Sequence, residues 1–280
     1  MRFVVVAVLL TACVSVPPFQ GSLDDAKVGD SGDGSIGPVT VRWIRNAYRD
    51  GGADTVAVGT PMMSKTGFGI PSAGVNEGDL VLFIANVDNG GQGFWKLPQG
   101  FSMVVQRFYG QDGQTYVVAW KIAGSAEPTY YAGTYDTAVS SSAAATISLL
   151  AVTGYNQLQP IDTVLETDHQ TPTDPADIGS PGITTTVANS LLIFAGGADW
   201  TPENGTNTYA APDGFDLLTS VGDRNTHWDW TCQVISYKFQ AAAGPTGPLT
   251  STLTAKSYAD NTTPIPGGGW DVLFAIAPHP

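Results

Sequence analysis

The sequence predicts an all-β protein: an antiparallel β-sandwich, jelly-roll-like, built from two sequence-similar halves. Three observations carry that expectation. The first is composition. Of 280 residues 42% are hydrophobic and only 13% charged, with 33 Gly and 19 Pro. Low charge with ample apolar content is the opposite of a disordered chain, and the wealth of Gly, Pro, Thr and Ser over Lys and Glu disfavours helix. The second is pattern, since short β-rich runs alternate with turn signals from Val39 onward. The third is an internal repeat of those runs.

The first element is an N-terminal arm, residues 1–37. Met1-Arg2 precedes the apolar run Phe3 to Leu10 and then Thr11-Ala12-Cys13. A short positive start, an apolar stretch and small residues form a secretory-signal pattern, and Leu10-Thr11-Ala12-Cys13 resembles the lipobox of bacterial lipoproteins. The same residues, FVVVAVLL, also read as a β-branched strand retained in the protein, and both readings stand. The stretch from Phe3 to Val16 is too short to span a bilayer as a helix. Cys13 and Cys232 either pair or, with Cys13 lipidated, leave Cys232 as a lone buried thiol. Pro17-Pro18, four Asp and five Gly make the remainder of the arm an acidic linker. Gly29-Asp30-Ser31-Gly32 looks like a protease nucleophile motif, but it stands ahead of any domain with no upstream His or Asp to serve it.

The second element is a β domain, residues 38–280. VTVRWI, DLVLFIA, FSMVVQRFY and TYVVAWKIA read as strands, separated by breakers such as Asp88-Asn89-Gly90-Gly91 and Gln111-Asp112-Gly113. The series then recurs. Leu80 to Phe83 is echoed by Leu191 to Phe194, an offset of 191 − 80 = 111. Pro98-Gln99-Gly100-Phe101 is echoed by Pro212-Asp213-Gly214-Phe215, and Trp120-Lys121 by Tyr237-Lys238. Leu149 to Val152 is echoed by Leu273 to Ile276, where the offset has grown to 273 − 149 = 124. Ordered matches with a steadily growing offset define two copies, about 75–152 and 186–277. Each copy supplies about five strands, and one five-stranded sheet cannot cover its own apolar face. Two copies facing each other predict a single sandwich of about ten strands; two small tandem sandwiches are the alternative.

Gly78-Asp79 with its apolar strand, Pro98-x-Gly100-Phe101, Trp120-Lys121 with Gly124 and Pro128, and a closing apolar strand form a succession that resembles β-sandwich modules of phage fibre, spike and other virion proteins and of bacterial surface proteins. The resemblance covers about Arg42 to Pro280. It implies a non-enzymatic virion structural protein, a head fibre, spike or tail-fibre subunit for host attachment, with itself and other virion proteins as partners. Such displays are symmetric, so a homo-oligomer is expected. The alternative is a bacterial surface lipoprotein, lipid-anchored or secreted, whose sandwich binds carbohydrate or protein; a membrane is a partner only if Cys13 is lipidated.

Charge and motifs narrow the chemistry. A formal charge of −13 and a pI near 4.3 argue against nucleic acid as a partner. No nucleophile elbow, zinc helix, CxxC pair or phosphate loop appears, and no cofactor is expected. Asp168-His169 reads as an exposed loop between the copies. The acidic residues sit mostly in turns with Gly or Asn, such as Asp88, Asp112, Asp199, Asp213 and Asp223, which turn chemistry alone predicts. Calcium ligation by Asp88-Asn89, or by Asp199 with Glu203-Asn204, matches no defined loop spacing, so no metal site is assigned. A polysaccharide-degrading enzyme would rest on spare carboxylates only. Trp228 and Trp230 alternate with Cys232 and Val234 and read as core. Trp200 with Asp199, and Phe94 with Trp95, lie instead in polar turn-rich loops after equivalent strands. They are the candidate glycan-binding residues, an aromatic ring beside small polar groups. Whether those two loops share one end of the sandwich is left open by the sequence.

Overall fold

The computed structural model describes residues 38–49, 67–87, 95–109, 114–135, 145–169, 177–198, 207–222, 232–255 and 269–280. Pro38–Pro280 is one unit by itself. The described residues contain strands and no helix, and every paired strand is antiparallel. One five-stranded sheet has the order β1 (Thr40–Arg49), β8 (Ala145–Thr153), β3 (Leu80–Val87), β6 (Gln114–Ile122), β5 (Ser102–Tyr109). A second has β9 (Ile161–His169), β18 (Gly269–Ile276), β12 (Ser190–Ala198), β15 (Cys232–Gln240), β14 (Asp216–Gly222). Taken in chain order within each half, the two orders correspond strand for strand.

The central strands explain the layering. Polar alternation is missing from LVLFIANV of β3, and all eight residues are buried. The same holds for GWDVLFAI of β18. Successive side chains leave opposite faces of a strand, so a wholly buried strand must be covered on both sides. Leu80, Leu82 and Ile84 face inward with Leu150 and Val152, and share one cluster with Leu191, Ile193, Val272 and Phe274 of the other sheet. The two five-stranded sheets thus close over a common core, sandwich-like. Val81, Phe83 and Ala85 point outward and are covered by Ile70 of β2 (Gly67–Pro71) and Tyr131 of β7 (Tyr130–Tyr135). These strands, with β4 (Trp95–Lys96), form a three-stranded sheet ordered β2-β7-β4. On the other side β10 (Asp177–Ser180), β17 (Leu249–Ala255) and β13 (Asn207–Tyr209) cover Leu192, Phe194 and Leu273 through Ile178, Leu249 and Tyr209. The short pair β11 (Thr184–Thr185) and β16 (Gly244–Pro245) completes the strands.

This revises the expected ten-strand arrangement. The inner faces meet as expected, but the outer faces are apolar too, and a further small sheet covers each. The physical reason was present in the unbroken apolar run of DLVLFIA, which one buried face does not require. A second correction concerns Asp168 and His169. Their backbone belongs to β9, paired with Trp270 and Gly269, rather than to a loop.

Irregularities recur in matching places. All four edge strands of the five-stranded sheets are involved in a register shift. The shifts fall between Val41 and Trp43, between Met103 and Val105, between Leu217 and Thr219, and where β9 meets Ala275 and Ile276. The pairings among the inner strands are regular. The two Pro-x-Gly-Phe segments form the same turn, closed by Phe101 N–H to the Pro98 carbonyl at 3.2 Å and Phe215 N–H to that of Pro212 at 2.9 Å. Gly100 and Gly214 take φ of 85° and 75°, the left-handed conformation that this turn type demands at its third residue. In each, a lysine sits over the phenylalanine ring, Lys121 at 5.8 Å from Phe101 and Lys238 at 5.7 Å from Phe215.

Candidate functional site

The strand ends sort the connections into two kinds. Segments 50–66, 88–94, 110–113, 136–144, 170–176, 199–206, 223–231 and 256–268 all join strand ends at one end of the sandwich. Segments 72–79, 123–129, 154–160, 181–189 and 241–248 turn the chain at the other. The chain enters at this second end, where Thr40 pairs with Thr153, and it also leaves there, where Pro278 bridges Tyr155. Contacts between the sheets fix the relative direction of the halves. Asn46 Nδ2 donates to Thr219 Oγ1 at 2.7 Å, and Tyr116 stacks on Trp270 with centroids 4.5 Å apart and planes within 7°. The ends of β3 at Val87 and of β12 at Ala198 therefore point the same way.

Beneath that end the shared core changes from apolar to polar. On the inner face Asn86 stands beside Thr146 and Tyr116, and in the other sheet Gly197 stands beside Gln233 and Trp270. Ser148 Oγ lies 2.7 Å from both Asn46 Oδ1 and Gln233 Oε1. A hydroxyl has one proton and donates to only one of them; turning the Gln233 amide lets its N–H serve Ser148, and either way one Gln233 amide atom has no partner. The Arg107 guanidinium pairs with Glu166 at the far edge, Nε to Oε1 at 2.7 Å. The result is a polar belt across the whole sandwich, with an apolar core below it. The sequence signal was a lone Asn in LVLFIANV, a lone Gln in CQVIS and a lone Ser in ISLL; strand reading by composition passes over single polar residues.

The charged clusters near the opposite end are structural pins. Glu127 accepts from Lys121 Nζ at 2.6 Å, Tyr131 OH at 2.5 Å and Gly124 N–H at 2.6 Å. Burial alone would push its carboxyl up, but these donors outweigh burial and hold it below the usual range. Burial, and then the Glu127 carboxylate, push the Tyr131 phenol well above its ordinary value. The Arg42 guanidinium pairs with Asp79 and donates to the Gly74 carbonyl at 2.8 Å, while Asp79 Oδ2 accepts Asn76 N–H at 2.6 Å. Every oxygen of Glu127 and Asp79 is engaged, which suits anchoring a turn better than moving a proton. Among the described residues no group of three or more His, Cys, Asp or Glu side chains converges.

Of the residues expected to bind glycan, Trp200, Asp199 and Phe94 lie outside the described residues. Trp95 falls on β4, paired with Tyr135, rather than in the loop before it. Trp228 and Trp230 are likewise outside, as are residues 1–37; Cys232 and Val234, which continue the Trp228 alternation, both face the outer core. Comparison with known proteins adds no relative: no family model, no curated protein and no solved structure matches this chain.

Proposed function

We propose that the chain is a non-enzymatic structural protein of a virion, a fibre or spike subunit that displays a β-sandwich outward for attachment to a host surface or its glycans. The observation that carries this reading is the segregation of connections. Chain entry, at Thr40, lies at one end of Pro38–Pro280, while eight connections, with 50–66 and 256–268 the longest of them, join strand ends at the other. A strand of eight or nine residues holds the two ends roughly 25–30 Å apart. The strand ends that carry those eight connections are thus the ones remote from residue 38, which suits a display module. The resemblance to virion sandwiches supports the same reading.

We further read the domain as jelly-roll-like and as an internal duplication, with the halves related by a pseudo-twofold axis along the strands. Corresponding strand orders, edge irregularities at corresponding strands and the paired Pro-x-Gly-Phe turns support it. On this reading β3 and β12, the strands that precede Phe94 and Trp200 in the chain, finish at the same end. Glycan contact through them predicts that Trp200→Ala weakens binding about tenfold without unfolding the protein, taking on the order of 1–3 kcal/mol per stacked ring. A glycan array with matched melting curves checks it; unfolding of the variant with residual binding intact removes Trp200 from the site.

The experiment for the function is quantitative mass spectrometry of purified particles. The chain is expected at a fixed stoichiometry per particle, and its absence from particles overturns the proposal. Leu10-Thr11-Ala12-Cys13 favours a second reading, a lipid-anchored bacterial surface protein. Intact mass separates the two, because a diacylated chain beginning at Cys13 fits only the second.

A further inference from the structure

The centre of the polar belt contains hydrogen-bonding groups that the protein itself does not satisfy. Asn86 Nδ2 and Oδ1, Thr146 Oγ1 and Trp270 Nε1 are buried without a protein partner, as is one amide atom of Gln233. All four residues are fully excluded from solvent. They are neighbours: Asn86 pairs in register with Thr146, Trp270 lies over Gly197 and stacks on Tyr116, and Gln233 meets Ser148 from across the interface. A buried polar atom left without a partner is costly, and native interiors leave few such atoms. Five on one level of one core would be a large fraction of a domain's net stability.

We propose that this level is a buried hydration site, in which one or more long-lived waters bridge Asn86, Thr146, Gln233 and Trp270. The chemistry selects the guest. The orphan set includes both donors and acceptors, so the guest must do both. The charged residues of the belt, Arg107 and Glu166, are paired with each other at its edge, so nothing at the centre favours an ion. A guest enclosed among four side chains fully closed to solvent must be small, as a water is and a saccharide is not. The belt lies directly under the strand ends remote from chain entry, so its waters would fix how the two sheets meet there.

Water–protein Overhauser spectroscopy on the intact folded protein tests this. Cross-peaks with the sign of a long-lived complex are expected from water to the Asn86 side-chain amide protons and to the Trp270 indole proton. Their absence in the wild type overturns the proposal without any variant. Asn86→Leu supplies the second readout. If waters bridge the belt, leucine expels them, the Trp270 cross-peak is lost and Tm falls. If the belt is dry, leucine removes two orphan atoms and Tm rises, which contradicts the proposal. Thr146→Val, nearly isosteric, is the milder variant should Asn86→Leu fail to fold; it is expected to weaken the same cross-peaks while leaving the fold intact, and unchanged cross-peaks would count against the site.

Discussion

Gly197 and Gly78 show how differently two glycines constrain one molecule. A Cβ on Gly197 would press on the Cys232 carbonyl oxygen and stand 2.9 Å from Trp270 Nε1, because the indole lies directly over the strand there. Neither neighbour yields cheaply, one being backbone and the other a ring stacked on Tyr116. Gly197→Ala is therefore expected to cost about 3 kcal/mol, the upper range for overpacking a core. Gly78 instead adopts φ of 83° with nothing within 4 Å of a built Cβ. Gly78→Ala meets only the left-handed conformational penalty, about 1–2 kcal/mol. Urea midpoints of the two variants check the order, and equal losses would refute the packing role of Gly197. Glu127 and Tyr131 set the response to pH. The lowered carboxyl of Glu127 contributes stability above its ordinary value of 4.5, and that contribution is lost as pH falls below it. The raised phenol of Tyr131 contributes below its ordinary value of 10.0, and that is lost as pH rises beyond it. Glu127→Gln should lower stability at neutral pH by about 2 kcal/mol and flatten the acid limb, read from urea midpoints between pH 3 and 7.

At the scale of elements, the edge strands carry the irregularities and the inner strands carry none. A bulge twists an edge and spoils it as a template for another chain, so this pattern blunts the exposed edges of both five-stranded sheets. The irregularity in β1 also turns Arg42 toward the buried Asp79, whose side chain is only 3% exposed. Arg42→Ala leaves that carboxylate without its cation and is expected to cost on the order of 3 kcal/mol; Arg42→Ala with Asp79→Asn should recover part of the loss. Thermal melts of the single and double variants measure it. How much of this was legible depended on residue type. The strands of the inner sheets were readable from DLVLFIA, FSMVVQRFY and TYVVAWKIA. The two Pro-x-Gly-Phe turns were readable because proline and a left-handed glycine leave a sequence mark. The outer strands β2, β10 and β13 were not: GFGIP, DIGS and NTY are short, and each becomes a strand only through the sheet it covers. Bulges leave no mark either, since the extra residue in β5 is an ordinary valine between valine and methionine. Asn86, Ser148 and Gln233 were hidden for the same reason, each a single polar residue in an apolar run.

For the whole molecule the consequence of a shared core is cooperativity. Leu82, Leu150, Ile193 and Phe274 come from both halves and occupy one cluster, so neither half retains its inner core if the other unfolds. Unfolding is expected as one transition, with aromatic near-ultraviolet and backbone far-ultraviolet signals coincident. The face-to-face meeting of the two five-stranded sheets is the central claim, and the stacked rings of Tyr116 and Trp270 are its most direct reporter. A double-mutant cycle of Tyr116→Leu and Trp270→Leu, measured by urea unfolding, tests it. Stacked rings predict a coupling of about 0.5–1.5 kcal/mol between residues 154 positions apart, since 270 − 116 = 154. Strictly additive losses would mean that the two rings do not meet, and would contradict the shared core.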